Sequence, residues 1–423
     1  MTSWFTRRQT CRMCDSSEVE SVLPLGEIPV VTPNVDGKNA AEKFAGVQAQ
    51  TVPLGLYLCR GCGHLQLLDV VDPDVQYNNF NYTTSISLGL PEHFLKFADE
   101  VIGAVGAPRG ALVLEVGSND GTLLRAFKER GMKVLGVDPA QKIAARATEN
   151  GTKTLATFYT EKLAGEIRAQ YGPAQIVIAN NTFANLDDLA DFAAALRASL
   201  APSGVFVFET QYGADVVEKT LIDTVYHEHL SYFMAKPLDR YFARHGLQLI
   251  DLQRIWTKGG SIRGTVQLAG GPRTRSDSVD ALIADEKQRG YGGMAPFRKL
   301  AADVAAVKQA VAEIVESRRK AGKRFAGYGA SVGSVTLIQQ FQLGRVLEFI
   351  TDDKPLCEQI ASADYRIPVL PSEAIYERNP DAIMILAWRY ADPIIGKHQR
   401  YLAGGGEFII PLPKVSIRSA IGR

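Results

Sequence analysis

The clearest alternation of apolar and polar positions lies at residues 111–127, ALVLEVGSNDGTLLRAF. An apolar, β-rich run ends at Glu115, a turn carries Gly117 and Gly121, and Leu123, Leu124 and Phe127 follow at helical spacing. Strand, glycine turn and helix in that order predict a nucleotide-binding α/β unit. About twenty residues on, KVLGVDPA sets Asp138 at the end of a second strand, where a carboxylate accepts from ribose hydroxyls. QIVIANNTFANLDDL (175–189) fits a fourth strand whose end carries Asn180, and GVFVFETQY (204–212) fits a fifth. A helix is expected over 91–105, after the polar and aromatic stretch QYNNFNYTTSISLGL. The pattern returns at RFAGYGASVGSVTLI (324–338) and VLEFITDD (346–353). Gly327, Gly329 and Gly333 are one residue off the dinucleotide spacing, and Asp352 ends the next strand.

Composition narrows the class. The 423 residues suit two or three domains, and 46% apolar with 22% charged side chains is an ordinary globular balance. With 47 basic against 46 acidic groups, no electrostatic footprint for nucleic acid or an anionic membrane surface is expected. No long uncharged apolar stretch occurs, and MTSWFTRRQT lacks the apolar core of a secretion signal, so a cytoplasmic protein is expected, as a monomer or small homo-oligomer.

Four of the five cysteines fall as Cys11-x2-Cys14 and Cys59-x2-Cys62. Two such knuckles read as one tetrahedral zinc site, closed by four thiolates and therefore structural. His64 is a substitute ligand to weigh, Cys357 a bystander, and the long spacer between the knuckles must carry structure of its own. The expected class is α/β: an N-terminal zinc-binding domain (1–75), a central Rossmann-like S-adenosylmethionine domain (76–269) and a C-terminal Rossmann-like domain (270–423).

The choice of S-adenosylmethionine follows from the first glycine turn. A pyrophosphate needs a middle glycine for close backbone approach, but Asn119 stands there and the acidic Asp120 follows. Such a turn suits a cationic ligand carrying a sulfonium and an amino group. Glu115, Gly117, Asn119, Gly121, Asp138 and Asn180 are the expected cofactor contacts.

The stretch YHEHLSYF, residues 226–233, holds two of six histidines, a carboxylate and two phenols. Together with the CxxC pairs, EVGSNDGTLL, GGSIRG (259–264) and FAGYGAS (325–331), it resembles the zinc-containing sugar C-methyltransferases that act on dTDP-linked 4-keto-deoxyhexoses, over nearly the whole chain. The resemblance implies S-adenosylmethionine-dependent methylation at carbon 3, with His229 as base and a C-terminal domain that helps enclose the nucleotide sugar. Histidine titrates at roughly 6.5, which suits removal of a proton beside a ketone. Glu228, Tyr226 and Tyr82 would support it, and Phe80, Tyr82, Asn185, Tyr232, Gly260, Ser261, Arg263, Tyr328 and Ser331 would meet the substrate. His227 is read as structural.

Two departures bear on the acceptor more than on the reaction type: Asn185 where the family carries a histidine, and an altered stretch at 351–371. Two other readings stand beside the first. One is a bifunctional methyltransferase and ketoreductase taking NADPH at the C-terminal glycine turn, or a different keto acceptor. The other is a non-catalytic scaffold, which the retained Glu115, Asp138, Glu228 and His229 disfavour.

Overall fold

The computed structural model describes residues 4–30, 51–77, 82–86 and 89–420, so Phe80 lies outside the described residues. Two compact units are formed, each from three segments of chain.

The first unit comprises Met1–Glu20, Tyr57–Ala214 and Glu228–Gly293. Its centre is a seven-stranded sheet in the order Leu247–Ile255, Ser261–Leu268, Leu200–Gln211, Ala174–Ile178, Leu112–Val116, Lys133–Val137, Thr154–Leu155. The last five are parallel. Ser261–Leu268 inserts antiparallel between Leu200–Gln211 and Leu247–Ile255. From Leu112–Val116 the chain builds outward to one edge, then returns to lay Ala174–Ile178 on the other side. That reversal opens a crevice at the carboxyl ends of these two strands, where ligands of open α/β sheets bind.

Helix Leu90–Val105 covers one face because Phe94, Phe97, Ala98 and Val101 recur every three or four residues and bury against Val113, Leu123, Leu124, Phe127, Ile176, Ile178, Val205 and Val207. Pro91 near the helix start and Gly106 in the left-handed conformation at its end fix the boundaries. Elsewhere in the unit Phe183 gathers Phe192, Phe206, Phe208 and Phe242, and stacks on Phe233 with centroids 4.4 Å apart. The YHEHLSYF stretch is therefore pinned at its aromatic end. Just before that, Ser231–Tyr232 pairs antiparallel with Leu65–Gln66, beyond the second knuckle.

The second unit comprises Ser21–Leu56, Asp215–His227 and Met294–Arg423. Its seven strands run Gln359–Ala361, Arg366–Pro371, Leu347–Asp352, Phe325–Tyr328, Ala382–Ile385, Glu407–Ile410, Ser416–Ser419, parallel except at the two edges. This is a second Rossmann-like sheet. Gly333 serves packing there: a Cβ would stand 2.1 Å from the Asp223 carbonyl oxygen, so the 215–227 segment can lie on helix Val332–Gln340 only over a glycine. No described helix is long and apolar enough to cross a membrane.

Candidate active site and metal centre

The four knuckle sulfurs lie within 4.8 Å of one another, with Cys11 and Cys62 at 3.7 Å and Cys14 and Cys59 at 3.5 Å. A tetrahedral ion with Zn–S bonds of about 2.3 Å sets its sulfurs about 3.8 Å apart, so the donor set fits zinc. His64 is not part of this four-thiolate cluster; its buried Nε2 lies 3.2 Å from Ser231 Oγ. Cys14→Ser is expected to lose the metal together with soluble yield, since folding and metal binding are one equilibrium at such sites. Zinc assay of the purified variant checks this, and a metal-free, folded, active preparation contradicts it.

At the sheet crevice Gly117 is required by the backbone: its φ is +71°, and a Cβ would meet Thr182 Oγ1 at 2.1 Å. Asp138 is buried, and its two carboxyl oxygens accept from the Asn119 and Ala140 N–H groups, each at 2.8 Å. It ties the glycine turn to the second strand, and each oxygen keeps further acceptor capacity. Asn119 and Asp120 hold the following loop in place. Asn119 Nδ2 donates to the Tyr82 carbonyl at 2.9 Å, while Asn119 Oδ1 and Asp120 Oδ2 accept from the Thr84 and Ser85 N–H at 2.9 and 3.1 Å. Tyr82 therefore stands beside the glycine turn.

Three buried polar atoms at this end of the sheet lack a hydrogen-bond partner: Glu115 Oε2, Ser118 Oγ and Asn180 Nδ2. Asn180 spends its Oδ1 on the Glu209 N–H at 2.9 Å. Burial, then the Asp138 and Asp120 charges, push the Glu115 carboxyl well above its ordinary range. An unpaired acceptor, an unpaired amide donor and a hydroxyl suit a ligand with amino and hydroxyl groups, such as S-adenosylmethionine.

In the neighbouring 228–233 stretch, Glu228 and His229 are 9% and 4% exposed. Gln211 Nε2 approaches both ring nitrogens of His229, at 3.1 and 3.3 Å. Burial pushes the Glu228 carboxyl up to about 7, against the opposing pull of the Lys258 ammonium. Its pKa is raised on folding, so its contribution to stability is full below about 4.5 and is lost as pH rises toward 7. Glu228→Gln should therefore match the wild type at pH 4 and be the more stable by about 3 kcal/mol at pH 8. Urea unfolding at both pH values tests this; equal stabilities at pH 8 would contradict it.

The Tyr77 phenol is hydrogen-bonded by Asn185 and is raised by burial and by the nearby Glu228 charge. Asn185 keeps its Oδ1 buried without a partner. Tyr77 was not singled out in the sequence; its one signal is that it is the first aromatic of the QYNNFNY run. Arg263 forms ion pairs with Glu209 at 2.7 Å and with Glu100, and lies 4.7 Å over the Phe97 ring. His93 Nε2 sits 2.8 Å from the same Glu209 carboxylate. Glu209 and His93 also escaped the sequence reading, although a carboxylate inside the apolar strand GVFVFETQ demands partners. Ser261 Oγ donates to the Thr257 carbonyl at 2.9 Å, Gly260 has a φ of +153°, and Tyr232 is fully buried.

The second unit holds the remaining residues. Tyr226 is half-buried, and His227 Nε2 lies 3.2 Å from the Val52 carbonyl, with burial lowering its pKa to about 4. Tyr328 donates to Asp353 at 2.6 Å, Ser331 starts helix Val332–Gln340 with its N–H on Ser334 Oγ, and Asp352 accepts from the Ala330 N–H at 2.9 Å. Asp352 thus ties its glycine turn as Asp138 ties the first.

Family models match three parts of the chain: a zinc binding domain over residues 11–77, a methyltransferase domain over 92–252 and a C-methyltransferase C-terminal domain over 256–413. C-methyltransferase NovU of Streptomyces niveus is 31% identical over 411 residues, 97% of each chain. Among solved structures, a S-adenosylmethionine-dependent methyltransferase from Clostridium acetobutylicum is 12% identical over 42% of this chain and 92% of its own, with a TM-score of 0.35. The CcbJ methyltransferase from Streptomyces caelestis is 15% identical over 42% and 89%, at 0.33, and both likenesses are too slight to bear on the assignment. The zinc domain, the methyltransferase sheet and a relative matching end to end together place this chain among the S-adenosylmethionine-dependent C-methyltransferases.

Proposed function

We propose that the enzyme methylates carbon 3 of a dTDP-linked 4-keto-deoxy sugar. A carbon attacks a methyl donor only once it carries an electron pair, and in a sugar the acidic C–H lies beside a ketone. The observation that carries the reading is the burial of His229 and Glu228 side by side in the methyltransferase unit. Buried groups of this kind are retained against a stability cost, as is usual where protons move.

His229 removes the carbon-3 proton. Glu228, close to half-protonated at neutral pH, donates to the ketone oxygen as the enolate forms, with Tyr77 beside it. S-adenosylmethionine supplies an electrophilic methyl on a sulfonium. Glu115, Gly117, Asn119, Gly121, Asp138 and Asn180 would hold it at the crevice, and exclusion of water there would keep the enolate from being reprotonated. Asn185, an amide in place of an imidazole, accepts from a substrate hydroxyl instead of relaying a proton.

Incubation with S-adenosylmethionine and a panel of dTDP-4-keto sugars, followed by mass analysis, tests the reading. One member should gain a single CH2 at carbon 3. Methylation on oxygen, or of none of the panel, overturns it.

A further inference from the structure

Within the first knuckle, between two thiolates, lies a side chain with no exposed surface. Arg12 Nη1 donates to the Leu230 carbonyl at 2.7 Å, to the Leu67 carbonyl at 2.8 Å and to Gln66 Oε1 at 3.1 Å. Its Nη2 reaches Asp187 at 3.2 Å, and its backbone N–H donates to the same Gln66 oxygen at 3.1 Å. Gln66 and Leu67 follow the second knuckle, and Leu230 follows His229. Three more links join the same pieces: the Leu67 N–H donates to the Leu230 carbonyl at 2.9 Å, Ser231 pairs with Gln66, and His64 meets Ser231 Oγ.

A closed zinc knuckle has no need of a buried guanidinium. Burying one is costly, and its carboxylate partner Asp187 is itself about a third exposed. An apolar side chain would staple the domain as well. What the planar fork adds is a fixed geometry, in which one nitrogen holds carbonyls from two separate stretches of chain.

We propose that Arg12 is a positioning residue for the acid–base stretch: anchored between the zinc thiolates, it fixes the Leu230 carbonyl and, one peptide away, the His229 ring. The proposal rests on His229 being the base. It makes the metal a reference point for the reacting groups as well as a staple.

The test uses Arg12→Met and Arg12→Lys in the full-length, zinc-loaded enzyme, with turnover expressed per zinc-loaded molecule. Histidine ring NMR signals are followed in parallel, with the His229 signals assigned through His229→Asn. Arg12→Met should lower kcat about tenfold or more through misplacement of the ring, leave the KM for the keto sugar within about twofold, and move the His229 signals while those of His93 stay. Arg12→Lys, which keeps one donor, should recover part of both effects and covers the case in which the Met variant folds poorly. Asp187→Asn, which touches the guanidinium but not Leu230, should do least. Zinc-loaded variants with unmoved His229 signals and full turnover would overturn the proposal. So would parallel loss of zinc, fold and activity with His229 unchanged in the folded remainder. Displaced His229 signals in an enzyme whose wild type shows no proton removal from a keto sugar would refute the base reading and leave the positioning intact.

Discussion

His229→Asn is expected to lower methyl transfer by about 10²–10⁴-fold, the usual contribution of a positioned general base. Asparagine keeps much of the shape beside Gln211 but has no group that titrates near neutral pH. The loss should fall on kcat with folded yield and zinc content unchanged. His227→Asn is the matched control. Its ring lies against the Val52 carbonyl, so the cost should be about 1 kcal/mol of stability and little turnover. A His229→Asn enzyme with wild-type turnover would move the base elsewhere, with Glu228 and Tyr226 the next candidates.

Asp138→Ala is expected to weaken S-adenosylmethionine binding by about one to two orders of magnitude, read by calorimetry. Two effects act in the same direction. The ribose loses an acceptor, and the N–H groups of Asn119 and Ala140 lose the carboxylate that tied the glycine turn to the second strand. Asp138→Asn, which retains one acceptor oxygen, should fall between. Unchanged affinity in the alanine variant would place the adenosine elsewhere.

Both sheets could be read in the sequence because each announces itself locally, by an apolar run, a glycine turn and a helical repeat. The zinc ligands were equally legible, since thiolates two apart need no distant partner to be recognised. What was hidden depends on contacts far apart in sequence. Nothing around Ser21–Leu56 or Asp215–His227 shows that these segments build the second unit with residues beyond 294. The third glycine of the C-terminal turn looked like part of a ligand loop; its Cβ position is filled by the Asp223 carbonyl, which spacing cannot reveal. Asp138 and Asp352 were placed correctly at strand ends, but their bonds to the turns in front of them needed coordinates. Arg12, Tyr77, His93 and Glu209 were missed for the same reason. Apart from the Glu209 carboxylate inside its apolar strand, each is ordinary in its own stretch of sequence, and all four are distinguished by side-chain partners 54 or more residues away.

The most direct test of enolate formation asks the enzyme to remove the proton without finishing the reaction. The wild type, its keto-sugar substrate and S-adenosylhomocysteine, which has no methyl to give, are incubated in deuterium oxide and the sugar is examined by NMR. The account predicts deuterium at carbon 3, appearing with wild-type enzyme and lost with His229→Asn. Carbon 3 retaining its proton with the wild type, on a substrate that the same preparation methylates once S-adenosylmethionine is supplied, would contradict it.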